Sequence, residues 1–210
     1  MIGYGESRIR KVGGGIKMIW DTEIVEVTNP TTGRTWMDRN IGASRAATSS
    51  TDEDAYGHSF QWGRNPDGHE LRTSGTTTTL SSTDVPGHGD FILAPNAPND
   101  WRSPQNALLW QGIIADGWRL PTEAEWNEER LSWATNNAAG AYGSVLKLPV
   151  AGYRSLDNGS LRNVGSSGYY WSSTVAGSNS RYLYFLSSSA LTYYNSNRAS
   201  GLSVRLIKDE

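Results

Sequence analysis

Short runs of alternating apolar and polar residues recur along the chain and predict small β-strands separated by turns. The first clear run is EIVEV at residues 23–27, which is followed by Asn–Pro and Thr–Gly turn signals. Residues 34–40 then have the pattern of an antiparallel partner, in which Trp36 is predicted to cover a core. A β-hairpin is therefore expected near the N-terminal end of the folded region.

The alternation returns in three later runs, at residues 146–148, 182–186 and 202–207. Successive side chains of a strand point to opposite faces of its sheet, so each run divides into a core face and a surface face. The predicted core positions are Leu183, Phe185, Val204 and Leu206, with Leu202 inward or at the rim. The predicted surface positions of the middle run are Tyr182, Tyr184 and Leu186.

Two segments carry the start signals of helices. Residues 105–111 follow a Ser–Pro pair that suits an N-cap and a first helical position. In the second segment Thr122 is the predicted N-cap, Glu125 completes a capping box, and Gly140 is the predicted end. The sequence therefore predicts two helices among many short strands.

Residues 43–106 consist mostly of Ser, Thr, Gly, Asp, Asn and Pro. An irregular segment of this length is unusual inside a compact domain. We expect its large aromatic residues to attach it to a core, and these are Tyr56, Phe60, Trp62, Phe91 and Trp101. Residues 1–17 are predicted to be a flexible, Gly-rich leader, and residues 18–210 a single α+β domain.

The composition narrows the class of protein. Nine Trp and ten Tyr argue against disorder, and 19 basic against 21 acidic residues argue against a nucleic-acid or membrane-surface partner. The absence of Cys excludes disulfides, thiolate metal sites and a thiol nucleophile. No run approaches the roughly 20 apolar residues of a membrane span, and no signal-peptide pattern is present, so we expect no membrane insertion.

Four motifs of the second half are specific when taken in order. They are GWRLPTEAEW at residues 117–126, LPVAGYR at 148–154, YWSST at 170–174 and GLSVRL at 201–206. Upstream, the same set includes TWMDRN at 35–40 and FQWGR at 60–64. This ordered set resembles the C-type lectin-like domains related to formylglycine-generating enzyme, and within that group the variable proteins of diversity-generating retroelements. The resemblance covers about residues 20–208.

The resemblance implies a C-type lectin-like α+β fold with two small antiparallel sheets, two helices and long inserted loops. The residue types of the motifs suit a scaffold. Indoles hold loops to a small core, glycines allow unusual conformations or close approaches, and guanidinium groups bind carbonyls or carboxylates. The residues concerned are Trp118, Trp126 and Trp171; Gly117, Gly152 and Gly201; and Arg119, Arg154 and Arg205.

The resemblance also implies a non-enzymatic protein with a diversified ligand-binding surface at about residues 165–205. Between residues 163 and 204 lie six of the ten Tyr, many Ser, Gly and Asn, and only two charged residues, a set typical of antibody paratopes. Residues 148–207 contain no Lys, Glu, Gln or Met, which agrees with replacement of adenines in Asn codons. The predicted ligand contacts are Tyr169, Val175, Ser178, Tyr184, Leu186, Ser189, Leu191, Tyr193, Tyr194 and Ser196. Tyr182 is predicted to be structural.

The expected ligand is a protein or glycan on another cell or particle, as for a phage or virus receptor-binding protein. One alternative is an unvaried lectin-like adhesin or structural domain. Another is a metal-dependent hydrolase using His58, His69 or His88, whose loops suggest bracing hydrogen bonds instead. Formylglycine generation is excluded because it depends on Cys, and the Ca²⁺ motifs of sugar-binding C-type lectins are missing. We expect no catalytic residues, metal or cofactor, and leave a structural ion, localisation and oligomeric state open.

Overall fold

The computed structural model describes residues 9–12 and 16–209, and the predicted leader, residues 1–17, therefore lies partly outside the described residues. The first strands are β1 (Ile9–Val12), β2 (Ile16–Ile19), β3 (Thr22–Glu23), β4 (Glu26–Thr28), β5 (Thr35–Met37), β6 (Phe60–Gln61), β7 (Thr76–Thr77), β8 (Phe91–Ile92), β9 (Ile113–Ala115) and β10 (Trp118–Arg119). A 3₁₀ turn covers Glu53–Ala55, and two helices follow, α1 (Glu123–Leu131) and α2 (Ala138–Gly143). The last strands are β11 (Tyr153–Arg154), β12 (Leu161–Arg162), β13 (Gly168–Ala176), β14 (Asn179–Phe185), β15 (Ala190–Leu191), β16 (Asn195–Asn197), β17 (Gly201–Leu202) and β18 (Ile207–Lys208).

The fold is α+β and rich in short sheets. The sheets are β1–β2–β3, β4–β5–β18–β10–β9, β12–β11–β17–β6 and β13–β14–β15, in which β16 also pairs with β14. A parallel pair, β7–β8, lies within the long irregular segment. The described residues thus contain more small sheets than the two that the resemblance implies, among them β1–β2–β3 near the N-terminal end and β7–β8 in the irregular segment.

The N-terminal hairpin is confirmed. β4 and β5 are antiparallel, with Val27 opposite Trp36, and the Trp36 side chain is fully buried. The predicted run 23–27 is divided between β3 and β4. At the break, the Val25 carbonyl accepts a hydrogen bond from the Asp38 amide at 2.9 Å.

The helix predicted over residues 105–111 is wrong, since this fully described segment forms turns. The Asn106 side chain accepts a hydrogen bond from the Leu108 amide at 3.0 Å, which competes with helical bonding. Trp110 has a positive φ of 58°, which a right-handed helix does not allow. Local side-chain bonding therefore overrides the helix start signals.

The second predicted helix is confirmed at its start. The Thr122 hydroxyl oxygen accepts a hydrogen bond from the Glu125 amide at 3.2 Å, and Glu125 Oε2 accepts one from the Thr122 amide at 2.8 Å. The predicted end at Gly140 is wrong, because α1 ends at Leu131. Gly140 lies inside α2, where a Cβ atom would overlap the carbonyl oxygen of Thr135.

Alternation predicted burial better than it predicted strands. The predicted core positions are all buried: Leu183, Phe185, Leu202, Val204 and Leu206. Residues 146–148 do not form the predicted strand, because Lys147 has a φ of +49° and turns the backbone between two buried leucines. The run 202–207 lies in strands only at its ends, in β17 and β18, and Ser203 between them forms an isolated bridge to Tyr170. The period of two therefore reports which face is buried, even where no ladder forms.

Indole N–H groups attach the irregular segments to the core, as predicted. The bonds run from Trp62 to the Ser172 carbonyl (2.9 Å), from Trp101 to the Trp62 carbonyl (2.8 Å), from Trp126 to the Trp171 carbonyl (3.0 Å) and from Trp171 to the Phe60 carbonyl (2.7 Å). Trp118 is buried in the core. The five aromatic residues expected to attach residues 43–106 are also all buried. Large side chains therefore hold this irregular segment in place.

The scaffold roles of Arg154 and Arg205 are confirmed. Arg154 donates to the carbonyls of Leu71, Ser74 and Gly159. Arg205 is fully buried and donates to the carbonyls of Met37 (3.0 Å) and Leu146 (2.8 Å) and to Asn40 Oδ1 (2.9 Å). Each guanidinium group therefore joins segments that are far apart in the sequence. Gly152 is equally specific, since it has a φ of +70° and a Cβ there would overlap the Arg162 carbonyl.

Arg119 forms a bidentate ion pair with Glu125 at the start of α1. The distances from Nη1 and Nη2 to the two carboxylate oxygens are 2.9 and 2.7 Å. Burial alone would raise the pKa of Glu125, but the hydrogen bonds from Arg119 and Thr122 outweigh it and lower the pKa to about 2.

Within residues 9–12 and 16–209, no helix combines the length and hydrophobicity that crossing a bilayer requires.

Candidate functional site

The sheet formed by β13, β14, β15 and β16 carries the predicted surface. Along β14, Leu183 and Phe185 face the core and are fully buried, whereas Tyr182 and Tyr184 lie on the other face. Tyr169 of β13 is directly opposite Tyr184 and therefore shares that face. Alternation along two paired strands thus collects tyrosines on one side of the sheet.

Six tyrosine rings form a continuous set on this side, which we call the tyrosine row: Tyr153, Tyr169, Tyr182, Tyr184, Tyr194 and Tyr193. The ring centroids are 4.9 Å apart for Tyr153–Tyr169, 5.9 Å for Tyr169–Tyr182, 5.0 Å for Tyr169–Tyr184, 6.1 Å for Tyr184–Tyr194 and 5.0 Å for Tyr193–Tyr194. These separations lie within the range of about 4.5–7 Å for favourable aromatic pairs. The rings therefore support one another as a rigid surface.

The tyrosine row changes from half-buried to exposed along its length. Tyr182 is half-buried beside Trp171, with ring centroids 6.4 Å apart, and burial raises its pKa. Burial also raises the pKa of Tyr169 to about 12. Tyr193 and Tyr194 are 56% and 42% exposed. Tyr182 thus lies where a structural residue would, while Tyr193 and Tyr194 are open to a partner.

Three more of the predicted contacts lie beside the tyrosine row. Leu191 of β15 is opposite Tyr184, and Leu186 and Ser189 form the turn between β14 and β15. In this turn the Leu186 amide donates to the Ser189 carbonyl at 2.9 Å. All three residues are partly exposed. The structure therefore brings them together with the tyrosines.

Val175 and Ser178 lie at the other end of the β13–β14 hairpin. At about 3.3 Å per residue, Val175 is about 20 Å along the strand from Tyr169. Ser196 of β16 is opposite Ser180 in the same part of the sheet. The ten predicted contacts thus extend over the whole hairpin and do not form one compact cluster.

A cleft of about 430 Å³ opens beside the tyrosine row. Tyrosines of the row supply part of its lining, namely Tyr153, Tyr169 and Tyr182. Polar residues supply much of the rest, among them Asp157, Asn179, Asn195, Ser196 and Asn197. The cleft therefore combines aromatic rings with amide, hydroxyl and carboxylate groups.

Sequence reasoning missed most of this cleft. Asn195 and Asn197 are two residues apart on one strand, so a shared face could have been inferred from the sequence. Tyr153 and Asp157 carry no such signal, since both precede residue 165, where the predicted surface begins. They reach the cleft because β11 pairs with β17, with Arg154 opposite Gly201.

The two charged residues between residues 163 and 204 both form contacts with the scaffold. Arg181 donates to the Tyr193 carbonyl and lies 3.5 Å from the Glu123 carboxylate. Arg198 is buried, with its guanidinium carbon 4.7 Å from the Trp62 ring centroid, and donates to the Gly177 carbonyl at 3.2 Å. The surface between residues 163 and 204 thus offers polar and aromatic groups, and its two cations are already engaged.

One cluster of described residues has the groups that a metal ion would need, as the hydrolase alternative requires. It consists of Asp67, His69 and Glu70, whose possible ligand atoms lie within 4.8 Å of one another. His69 Nδ1 is 2.8 Å from Asp67 Oδ1, and Nε2 accepts a hydrogen bond from the Gln61 amide at 3.2 Å. Burial lowers the pKa of His69. Asp67 Oδ2 also accepts a bond from Arg64 at 2.9 Å. These groups are engaged in bracing the loop.

The other two histidines lie outside this cluster. His88 Nδ1 accepts a hydrogen bond from the Asp90 amide at 3.2 Å. His58 is packed against Gly42, where a Cβ atom would overlap the imidazole, and burial lowers its pKa. The three histidines thus form hydrogen bonds or close packing contacts.

Comparison with known proteins gives one match. A family model described as a domain of unknown function, DUF8237, matches residues 130–207, which is less than half of the chain. No curated protein and no solved structure matches the chain. The matched segment includes β11 to β17 and hence the tyrosine row and the cleft.

Proposed function

We propose that this chain is a non-enzymatic display protein, the variable ligand-binding protein of a diversity-generating retroelement. Its C-terminal surface binds a protein or glycan on another cell or particle. The observation that carries the proposal is the tyrosine row, which ends in the exposed Tyr193 and Tyr194 on a sheet face whose two arginines are engaged elsewhere.

The chemistry of this face suits recognition of a changing ligand. Tyrosine provides a large, rigid contact area at low entropic cost, and Ser, Gly and Asn provide adaptable polar contacts. Contacts between the rings restrict their motion further, so less freedom is lost on binding. An exposed aromatic cluster of this kind on a folded surface typically marks an interaction site.

The division between surface and scaffold supports the same proposal. Tyr182, Leu183 and Phe185 connect the surface to the core, while the indole and guanidinium bonds hold the neighbouring loops. Two helices, several short antiparallel sheets and a long irregular segment held by buried aromatic residues support a C-type lectin-like fold. The ordered sequence motifs point to the same group of domains.

The test is the nucleotide sequence that flanks the gene. We expect a near-copy of the codons for residues 165–205, next to a reverse transcriptase gene, which differs from the coding copy only at adenines. The codons for residues 117–126, which carry the scaffold motif, serve as the internal control and should have no such variable copy. Absence of both the copy and the reverse transcriptase would overturn the proposal.

A further inference from the structure

We propose that the cleft beside the tyrosine row binds a neutral sugar residue, one unit of a glycan, without a metal ion. This inference rests on the proposed function only in treating the C-terminal surface as the ligand-binding surface. It adds the chemical class of the ligand and the place where it is held. The volume of about 430 Å³ lies within the roughly 300–1,000 Å³ of small-molecule sites.

The charge of the cleft argues against an anionic ligand. Among the residues that the structure describes, Asp157 is the one charged residue in its lining, and no Lys, Arg or His lines it. A phosphate, sulfate or sialic acid carboxylate would therefore meet a negative group without a compensating cation, which is unfavourable. A neutral polar ligand meets no such penalty.

The amide groups of the cleft match hydroxyl groups. Asn179 Nδ2 donates to Asn195 Oδ1 at 2.8 Å, which leaves the Asn195 amide N–H groups and the Asn179 amide oxygen for a ligand. Within the described part of the chain, the Asn197 side chain forms no hydrogen bond, while its main chain pairs with Asn179. An amide donates and accepts, as does each hydroxyl of a sugar, so adjacent hydroxyls can bond to these groups in both directions.

The tyrosines of the cleft match the C–H face of a sugar ring better than they match a cation. A cage for an ammonium group needs aromatic rings that surround an empty space. Here Tyr153 and Tyr169 have centroids 4.9 Å apart, and Tyr169 and Tyr182 5.9 Å apart, so the rings contact one another. They form a continuous wall, against which the C–H groups of a pyranose can pack.

The experiment uses the full chain on a glycan microarray that carries neutral, sialylated and sulfated glycans, in buffer with EDTA. We expect binding to glycans with neutral terminal residues, and competition by the methyl glycoside of the terminal sugar. The double variant Asn195→Ala/Asn197→Ala should bind at least tenfold more weakly. These are substitutions on β16, whose strand pairing uses main-chain atoms, and circular dichroism checks that the variant is folded.

A control variant separates the cleft from the rest of the protein. Asn65→Ala changes an exposed asparagine outside the cleft. It should keep sugar binding within about twofold of the unmodified chain, a difference of about 0.4 kcal/mol. Equal loss in the Asn65→Ala variant would contradict a specific role of the cleft.

Other outcomes overturn the inference directly. These are binding to none of the neutral glycans, binding only to sialylated or sulfated glycans, and binding that EDTA abolishes. Displacement of a bound neutral glycan by tetramethylammonium, but not by the methyl glycoside, would indicate a cation site instead. The proposed function is tested separately, because the flanking gene copy can be present when no glycan binds.

Discussion

The indole hydrogen bonds offer a matched pair of substitutions. Trp171 and Trp36 are both fully buried, and the Trp171 N–H donates to the Phe60 carbonyl at 2.7 Å. Within the described residues, the Trp36 N–H is buried without an acceptor. Replacement by Phe removes the same atoms at both fully buried positions. The difference between the two variants therefore isolates the effect of the hydrogen bond.

The expected difference follows from the two environments. Trp171→Phe leaves the Phe60 carbonyl without its indole donor, which costs about 1–3 kcal/mol for a buried polar group. Trp36→Phe removes an unsatisfied donor, which offsets part of the packing loss by a similar amount. We expect Trp171→Phe to lower the free energy of unfolding by about 2–6 kcal/mol more than Trp36→Phe does.

Urea denaturation followed by far-UV circular dichroism measures both variants, because this signal depends little on a single indole. The two m-values must agree, so that the difference reflects the native state. Equal losses of unfolding free energy, within about 0.5 kcal/mol, would refute the idea that indole bonds hold the loops to the core. A larger loss in Trp36→Phe would refute it as well.

Three further predictions concern the same scaffold and surface. Arg205→Met should lower the free energy of unfolding by about 3–5 kcal/mol, since it leaves buried oxygens unpaired, and urea denaturation measures this loss. Arg181→Met, which breaks an ion pair at the surface, should lower it by less than about 1 kcal/mol. Because the folded pKa of Glu125 lies below its ordinary value of 4.5, its contribution to stability is present above pH 4.5 and is lost as the pH falls towards about 2. Glu125→Gln should therefore flatten the stability profile between these pH values, and an unchanged slope would contradict the assignment. Tyr182→Ala removes a half-buried ring that packs beside Trp171 and should lower the free energy of unfolding by about 2–4 kcal/mol. Tyr193→Ala should lower it by less than about 1 kcal/mol, and thermal denaturation compares the two variants.

Local sequence signals predicted those parts of the fold that local physics decides. The capping box at Thr122 uses atoms three residues apart, and it forms. The helix over residues 105–111 also had a start signal, but Asn106 bonds to its own turn and Trp110 takes a left-handed conformation. The choice between helix and turn here depends on where the buried Trp110 ring packs. The sequence of the segment alone does not contain that information.

The surface was predictable to the extent that it depends on one strand pair. Alternation along β14 correctly placed Leu183 in the core and Tyr184 on the outer face. The cleft needed knowledge of which strands meet, because Tyr153 lies in a different sheet and Asp157 in the turn that follows its strand. Pairing between β11 and β17 is a long-range contact, and it left no periodic signal in either short segment.

The scaffold holds the surface strands through hydrogen bonds to their main-chain carbonyls, which affects how well these strands tolerate mutation. Trp62 and Trp126 donate to the carbonyls of Ser172 and Trp171 in β13, and Arg198 donates to the carbonyls at the β13–β14 turn. A peptide carbonyl accepts the same hydrogen bond whichever side chain its residue carries. Exposed side chains of these strands can therefore be exchanged while these main-chain hydrogen bonds stay in place. If this surface binds a ligand as we propose, recognition and folding can then evolve at separate rates within one short stretch of chain.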